Sequence, residues 1–416
     1  MRNWKRDIAI FLSSQTISLF GSSLVQYAIV WHITLATKSG LMMTAIVLFG
    51  FLPLLFLSPF AGVVADRHDR RMVIILADAA IALVTLALAF VYRAGNEAIW
   101  LLLVASAIRA AGQAFHGPSV GAILPQIVPT EALVRINALN GSIQSTLMLL
   151  SPMVAGVLLS FLPLHFIFFI DVGTAAIAIT VMLVFLKIPP HAKATSPAST
   201  GYFKDMGLGF SYVRGHRYLV GLFSYTAILF FLITPSAFLT PLQATRTYGP
   251  EVWRLTGIEV AFSLGMTVGG GLLALKGGLK NRMATVIASN LAMAVCAFFL
   301  GLAPPFWLYL GVMGLFGVAM PYFSTPFTVM IQEHVESDYL GRVYSVLAMI
   351  QTSVMPLAML AFGPLGDLIK IEWLLLATGA LMLLSGLLGL RSRALMETGI
   401  ESASRRAGAG AASQEV

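Results

Sequence analysis

Charge is what this sequence has least of: 11% of its 416 residues are Asp, Glu, Lys or Arg, against about 25% in an ordinary soluble domain. So long a chain with so little charge cannot cover its apolar surface in water, which excludes a soluble globular fold. Cysteine is almost missing. The single Cys296 excludes an intrachain disulfide and, lying in an apolar stretch, says little about redox compartment. There is no glycine loop of the Walker type, so ATP is not the evident energy source. No spacing of His, Cys, Asp and Glu suggests a metal site, no cofactor is implied, and no Ser-His-Asp or paired-carboxylate arrangement points to an enzyme.

What is present is apolar. Hydrophobic residues make up 58% of the chain and the mean hydropathy is +0.87. The 37 Gly, 19 Pro and 27 Phe suit interrupted, closely packed membrane helices with interfacial rings better than the alternating short strands of a barrel. Stretches of about 20 apolar residues, enough to cross a ~30 Å hydrocarbon core, fall near 8–35, 41–64, 73–93, 99–122, 141–162 and 165–187. Six more fall near 218–241, 256–276, 283–303, 306–330, 342–365 and 373–391. The first has no cleavage site and carries Gln15 and Gln26, so it reads as a mature helix rather than a signal peptide.

The order of these stretches predicts an all-α membrane protein of twelve transmembrane helices in two pseudo-symmetric six-helix bundles. Residues 1–187 form the first bundle, 188–217 a polar cytoplasmic linker, 218–391 the second bundle, and 392–416 a disordered cytoplasmic tail. Repetition supports the division. Gln126-x-Val128-x-x-Glu131-x-Leu133-x-Arg135, then Ile143-Gln144-Ser145 and Gly156, returns 207 residues later. The second copy reads Glu333-x-Val335-x-x-Asp338-x-Leu340-x-Arg342, then Ile350-Gln351-Thr352 and Gly363. Repeats of this kind place a substrate site near the midplane between the halves.

Lys and Arg fix the orientation. With both termini in the cytoplasm, twenty fall in inside segments and five outside (Lys38, Arg93, Arg246, Arg254 and Lys370), leaving Arg109 within a span. That asymmetry is the positive-inside pattern. It accounts for the net charge of +8 as topogenic, so no nucleic-acid partner is expected.

Three local patterns carry a resemblance. After the second span comes Gly62-Val63-Val64-Ala65-Asp66-Arg67-His68-Asp69-Arg70-Arg71, which resembles the loop signature of the major facilitator superfamily. Gly62 would allow close helix approach, Asp66 a helix cap or ion pair, and Arg67, Arg70 and Arg71 a hold on the cytoplasmic face. The matching loop of the second half has Leu275 where the aspartate would be, so a latch there would be one-sided. In the fourth span, Arg109-Ala110-Ala111-Gly112-Gln113 resembles the superfamily's fourth-helix arginine motif with glycine and glutamine exchanged. Arg109 lies ten residues after Ile99, about 15 Å along the helix and close to midplane. It must meet a carboxylate or a cavity, as a structural ion pair or as a cavity charge. In the fifth span, Gly141, Ser151, Pro152 and Gly156 resemble the antiporter signature, although Pro152 also reads as a plain packing kink.

Acids within the spans are few: Asp78, Asp171 and Glu259. Each is expensive in lipid and reads as a proton-coupling candidate facing protein or a cavity. Asp78 reads first as a helix-end partner of the Arg70/Arg71 cluster. Glu259 can answer Arg109 across the pseudo-twofold axis. Gln15, Gln26, Tyr27, Trp31, Phe115, Phe230, Phe231 and Phe323 are candidates for an adaptable substrate cavity.

Further strings are similar to the macrolide-efflux branch of drug:proton antiporters. They are Asn3-Trp4-Lys5-Arg6, Gly50-Phe51-Leu52-Pro53, Ala114-Phe115-His116-x-Pro118, Glu259-x-x-Phe262-x-x-Gly265-Met266 and Tyr339-Leu340-Gly341-Arg342-Val343. The resemblance implies the major facilitator fold, alternating access, and export of hydrophobic drugs in exchange for protons through the bacterial inner membrane by a monomer. Siderophore exporters share the wider branch. A non-coupled membrane receptor or a lipid-handling protein is the reading from another class.

Overall fold

A computed structural model of the chain describes residues 4–186, 202–392 and 396. Residues 1–3 and 187, residues 188–201 of the expected linker and nearly all of the expected tail lie outside the described residues, as do the side chains of Asp66, residues 202–206, Ser337 and Asp338. The elements in chain order are α1 (Trp4–Thr37), α2 (Gly40–Arg67), α3 (Arg70–Arg93), α4 (Ile99–Ile127), α5 (Thr130–Phe161), α6 (Leu164–Phe185) and α7 (Tyr202–Gly215). They continue with α8 (Arg217–Phe238), α9 (Thr240–Thr247), α10 (Val252–Lys276), α11 (Arg282–Gly301), α12 (Phe306–His334), α13 (Ser337–Leu368) and α14 (Ile371–Arg391). Among the described residues twelve helical segments are long and apolar enough to cross a membrane, α8 and α9 together making one and α7 standing apart.

The twelve apolar stretches each lie largely within one of these segments, yet some helices run further than hydropathy predicts. α5 starts at Thr130 and α13 at Ser337, several residues ahead of their apolar windows. The extra turns carry Glu131 and Arg135 in one case and Asp338 in the other; charged residues lower hydropathy without barring a helix. Inside the segment expected as linker, α7 occupies Tyr202–Gly215. It stacks Tyr212 on Tyr339 of α13, ring centroids 4.4 Å apart.

The 207-residue offset is written into the helix ends. α4 and α12 are both 29 residues long and begin at Ile99 and Phe306. α5 and α13 are both 32 residues long and begin at Thr130 and Ser337. α6 and α14 begin at Leu164 and Ile371. Equal lengths at a constant offset mark two copies of one structural plan.

The chain divides into two compact units: Met1–Lys38, Met42–Ser199 and Pro250–Glu259 form one; Ser39–Leu41, Thr200–Gly249 and Val260–Val416 form the other. The first is built on α1, α3, α4, α5 and α6. One end of it is an apolar cluster that includes Ile8, Phe11, Ile74, Ile123, Ile127, Met182 and Leu186. Arginines close that end. Arg70 donates to the carbonyls of Ala65 (2.9 Å) and Ala122 (2.7 Å), tying the start of α3 to α2 and α4. Arg71 donates to the carbonyls of Met182 and Leu183 at the end of α6. Asp69 caps α3 by accepting from the Arg71 amide at 3.0 Å.

In the second unit α11 packs on α12 and α14. Asn290 donates to the Tyr225 hydroxyl at 2.6 Å and to Ser385 at 3.2 Å. An ion pair joins Arg282 to Glu333, and Arg246 pairs with Asp367 at 2.6 Å. α10 and α12 approach backbone to backbone. A Cβ on Gly265 would lie 2.0 Å from the Gly314 carbonyl, and one on Gly269 2.3 Å from that of Val318. Four residues apart on one helix, these glycines make the small-residue face that lets membrane helices close to dispersion contact.

Large apolar side chains also cover the outside, among them Phe56, Leu83, Phe90 and Phe161. Trp100, Trp253, Trp307 and Trp373 are all exposed, and each stands within the first three residues of its helix. Indole rings at helix starts are the aromatic edge of a membrane span.

Candidate functional site

The charged centre of the first unit is Arg109, 5% exposed in the middle of α4. Its Nη1 donates to Asp171 Oδ2 on α6 at 2.6 Å and to the Thr85 hydroxyl on α3. Its Nη2 donates to the Ser22 carbonyl on α1 at 3.1 Å. The Ser22 hydroxyl in turn donates to Asp171 Oδ1 at 3.2 Å. Four helices thus converge on one guanidinium, and every partner is one that a buried charge needs.

Close approach makes this possible. A Cβ on Gly21 of α1 would sit 2.0 Å from the Thr174 hydroxyl and 3.1 Å from Asp171 Oδ1. Only a glycine lets α1 come close enough to offer Ser22 to both members of the pair.

Beside the pair opens a cleft of ≈ 280 Å³. Ser22, Ser23, Gln26, Ser106, Arg109 and Gln113 give it polar groups, and Leu19, Leu54 and Ala110 give it apolar wall. The Ser106 hydroxyl, buried at the cleft wall, has no hydrogen-bond partner within the protein. Donors and acceptors at one end of an apolar cleft suit an amphipathic small molecule.

The other expected residues are placed as follows. Asp171 meets Arg109. Glu259 does not: it is half-buried on the 250–259 segment and its electrostatic neighbour is Tyr27 of α1. The expected answer of Glu259 to Arg109 is therefore replaced by Asp171, which reaches the guanidinium from within the same bundle. Asp78 does not partner Arg70 or Arg71; its carboxylate lies 3.4 Å from His116 Nε2 on α4. The two arginines are occupied by helix-end carbonyls, which point toward them from three helices. Arg67 is exposed at the end of α2, while the Asp66 side chain lies outside the described residues.

Among the small residues, Gly156 is a contact point: a Cβ there would lie 1.9 Å from the Thr256 hydroxyl. Ser151 and Pro152 are buried. Gly62 and Gly141 differ from expectation. A Cβ at either would meet nothing within 4 Å, so neither serves close packing here.

Among the cavity candidates only Gln26 lines the cleft. Gln15 is buried and donates to the Met182 sulfur at 3.3 Å. Trp31 is 1% and Phe323 2% exposed, as packing residues are. Tyr27 is half-buried against Trp31, ring centroids 5.6 Å apart, and Phe115 is half-buried on α4. Phe230 faces Phe323 at 6.2 Å, and Phe231 lies exposed against Phe362 at 5.1 Å. Sequence reading missed Thr85, Ser22 and the cleft serines. Thr85 stands seven residues from Asp78 on α3 and Ser106 three from Arg109 on α4, whereas Ser22 and Ser23 have no charged residue near them in sequence.

Known proteins are similar to this chain in sequence and fold. Residues 8–359 match the Major Facilitator Superfamily. Macrolide efflux protein A of Streptococcus pyogenes is 31% identical over 384 residues, covering 92% of this chain and 94% of that protein. The protein of the same name from Enterococcus faecalis is 32% identical over 76% of this chain and 99% of its own length. Multidrug efflux pump Tap of Mycobacterium tuberculosis is 24% identical over 95% of this chain and 96% of that protein. In solved structures the fold is similar to a variant of the nucleoside transporter NupG, with TM-score 0.70 and 16% identity over 95% of this chain and all of that one. It is likewise similar to the human organic anion transporter MFSD10, with TM-score 0.64 and 14% identity over 93% of this chain and all of that one. Twelve apolar helices, a repeated six-helix plan and these relatives make the chain a multi-pass membrane transporter rather than an enzyme, and a member of the Major Facilitator Superfamily.

Proposed function

We propose that the protein exports macrolide-like hydrophobic drugs across the bacterial cytoplasmic membrane in exchange for protons. It acts as a monomer with both termini in the cytoplasm. The observation that carries this reading is the Arg109–Asp171 pair at the edge of an amphipathic cleft. A guanidinium held by three helices beside unoccupied hydroxyl and amide groups is a place where a guest and a proton can compete for the same electrostatics. Similarity to the macrolide efflux proteins over most of the chain supports the drug class.

Transport follows alternating access. A proton arriving at Asp171 weakens its hold on Arg109, and the freed guanidinium donors change what the cleft can bind. Glu259, beside Tyr27, is the second acid at which a proton changes the charge of the transport path. Each drug molecule leaves as protons enter, so the proton gradient supplies the work.

The test is accumulation of radiolabelled erythromycin in an efflux-deficient bacterial host, with and without a protonophore, at matched membrane expression. Lower accumulation with the wild-type chain, abolished by the protonophore, by Arg109→Ala and by Glu259→Gln, is the expected result. Unchanged accumulation with the wild-type chain overturns the macrolide assignment and turns attention to siderophores or lipids.

A further inference from the structure

Two turns from Arg109, on the same face of α4, stands His116; two turns from Thr85, on the same face of α3, stands Asp78. Seven helical residues span about 10 Å. The antiparallel register therefore builds two polar rungs, one pairing Arg109 with Thr85 and the other pairing His116 with Asp78. α1 serves both from successive turns, Ser22 at the first and Ser18 beside the Asp78 carboxylate at the second.

The second rung is as dry as the first and less satisfied. Asp78 is 4% and His116 2% exposed. His116 Nε2 is 3.4 Å from Asp78 Oδ1, too poorly aligned to count as a hydrogen bond, and neither Nε2 nor Asp78 Oδ2 has a hydrogen-bond partner. Groups facing Asp78 are His116 from α4, Ser18 from α1 and, electrostatically, Asp171 from α6, whose own charge is met by Arg109. A carboxylate here leaves one negative charge uncompensated in apolar surroundings, which is costly. Adding one proton removes that net charge, whether it rests on the carboxylate or on the imidazole.

The repeat supplies an independent argument. Aligning Arg282-Met283 of α11 with Arg71-Met72 of α3 puts Ser289 in the place of Asp78, and the 207-residue offset puts Phe323 in the place of His116. Ser289 donates to the Ala319 carbonyl at 2.6 Å, and Phe323 stacks on Phe327 at 5.8 Å. The six-helix plan thus forms without an acid or an imidazole at this level, so architecture alone does not call for the pair.

We infer that Asp78 and His116 form a proton-binding site of their own, separate from the Arg109–Asp171 pair, which takes up and releases one proton in each transport cycle. This rests on the proton-antiport reading above. The chemistry is a transfer of one proton onto and off the shared carboxylate and imidazole, with no other bond made or broken. Asp171, on the next rung, is the neighbouring acid toward which that proton can move.

Two measurements test it on purified full-length protein. Infrared difference spectra between acid and alkaline buffer report protonated carboxyl groups without any drug. A carboxyl band absent from Asp78→Asn and shifted in its titration midpoint by His116→Phe is expected; a spectrum identical in wild type and Asp78→Asn overturns the site. In proteoliposomes, the ratio of gradient-driven erythromycin movement to erythromycin exchange without a gradient is read next. Asp78→Asn is expected to lower this ratio by about tenfold, within the usual range for coupling between two linked sites, and Asp78→Glu to restore part of it. A wild-type ratio in Asp78→Asn overturns the coupling role. Loss of driven movement in wild-type protein itself sinks the antiport reading instead, so the two failures are told apart.

Discussion

Arg109 and Asp171 show how much one buried pair asks of its surroundings. Both are nearly fully buried, and their 2.6 Å contact is backed by Thr85 and Ser22. Removing one partner leaves the other charge stranded, at a cost of about 3–5 kcal/mol, whereas replacing both by apolar residues is often near neutral. Asp171→Asn is therefore expected to lower the melting temperature of the detergent-solubilised protein sharply, and Arg109→Met/Asp171→Leu to recover most of it while drug export stays lost. A double variant no more stable than the single one would show that the pair is not what strains the bundle. The sequence makes Arg109 conspicuous, because a lone arginine at mid-span must be answered. It does not say by whom. Asp171 lies 62 residues away, and only the packing of α1, α4 and α6 selects it over Glu259. The same holds for Asp78, whose eight-residue distance from Arg70 along α3 suggested a local partner, while the fold turned it toward α4.

Helices in this chain meet through what is missing from their side chains. Gly265 and Gly269 bring α10 against α12 at backbone distance, so Gly265→Ala has a carbonyl in its way and must push the helices apart. Overpacking of this kind costs about 1–3 kcal/mol. Gly121 in α4 is the contrast: nothing lies within 4 Å of its Cβ position, and Gly121→Ala is expected to stabilise by about 0.5–1 kcal/mol through helix propensity. Thermal melts of the two variants should move in opposite directions. The twelve spans were legible because hydropathy over a membrane-length window is a strong signal. The starts of α5 and α13 were not, since their first turns are polar, and α7 escaped for the same reason. Gly62 and Gly141 show the limit of motif reading. A glycine in a signature reads as a close contact, but only the neighbouring backbone decides whether one exists.

At the scale of the molecule, the chain is two copies of a six-helix plan in which one copy carries the buried charge. Arg109 and Asp171 have Phe316 and Thr378 at the 207-residue offset. The duplication was visible in sequence, yet its chemical asymmetry became plain only once the first copy's charged residues were seen to meet. Sidedness is separately testable. Cys296 is the sole cysteine, so Cys296→Ala gives a clean background in which His68→Cys should be labelled by an impermeant maleimide only from the cytoplasm and Asn96→Cys only from outside. The reverse pattern would invert the topology and, with it, the direction of export.

The central claim, that drug and proton move in opposite directions through this chain, is tested most directly in proteoliposomes holding the purified protein and a pH-sensitive dye. Adding erythromycin to one side of a membrane with no imposed gradient should drive protons to that side as the drug crosses to the other. Proton movement should be lost with Arg109→Ala. Drug movement with no accompanying proton flux, or proton flux in the same direction as the drug, would contradict the account.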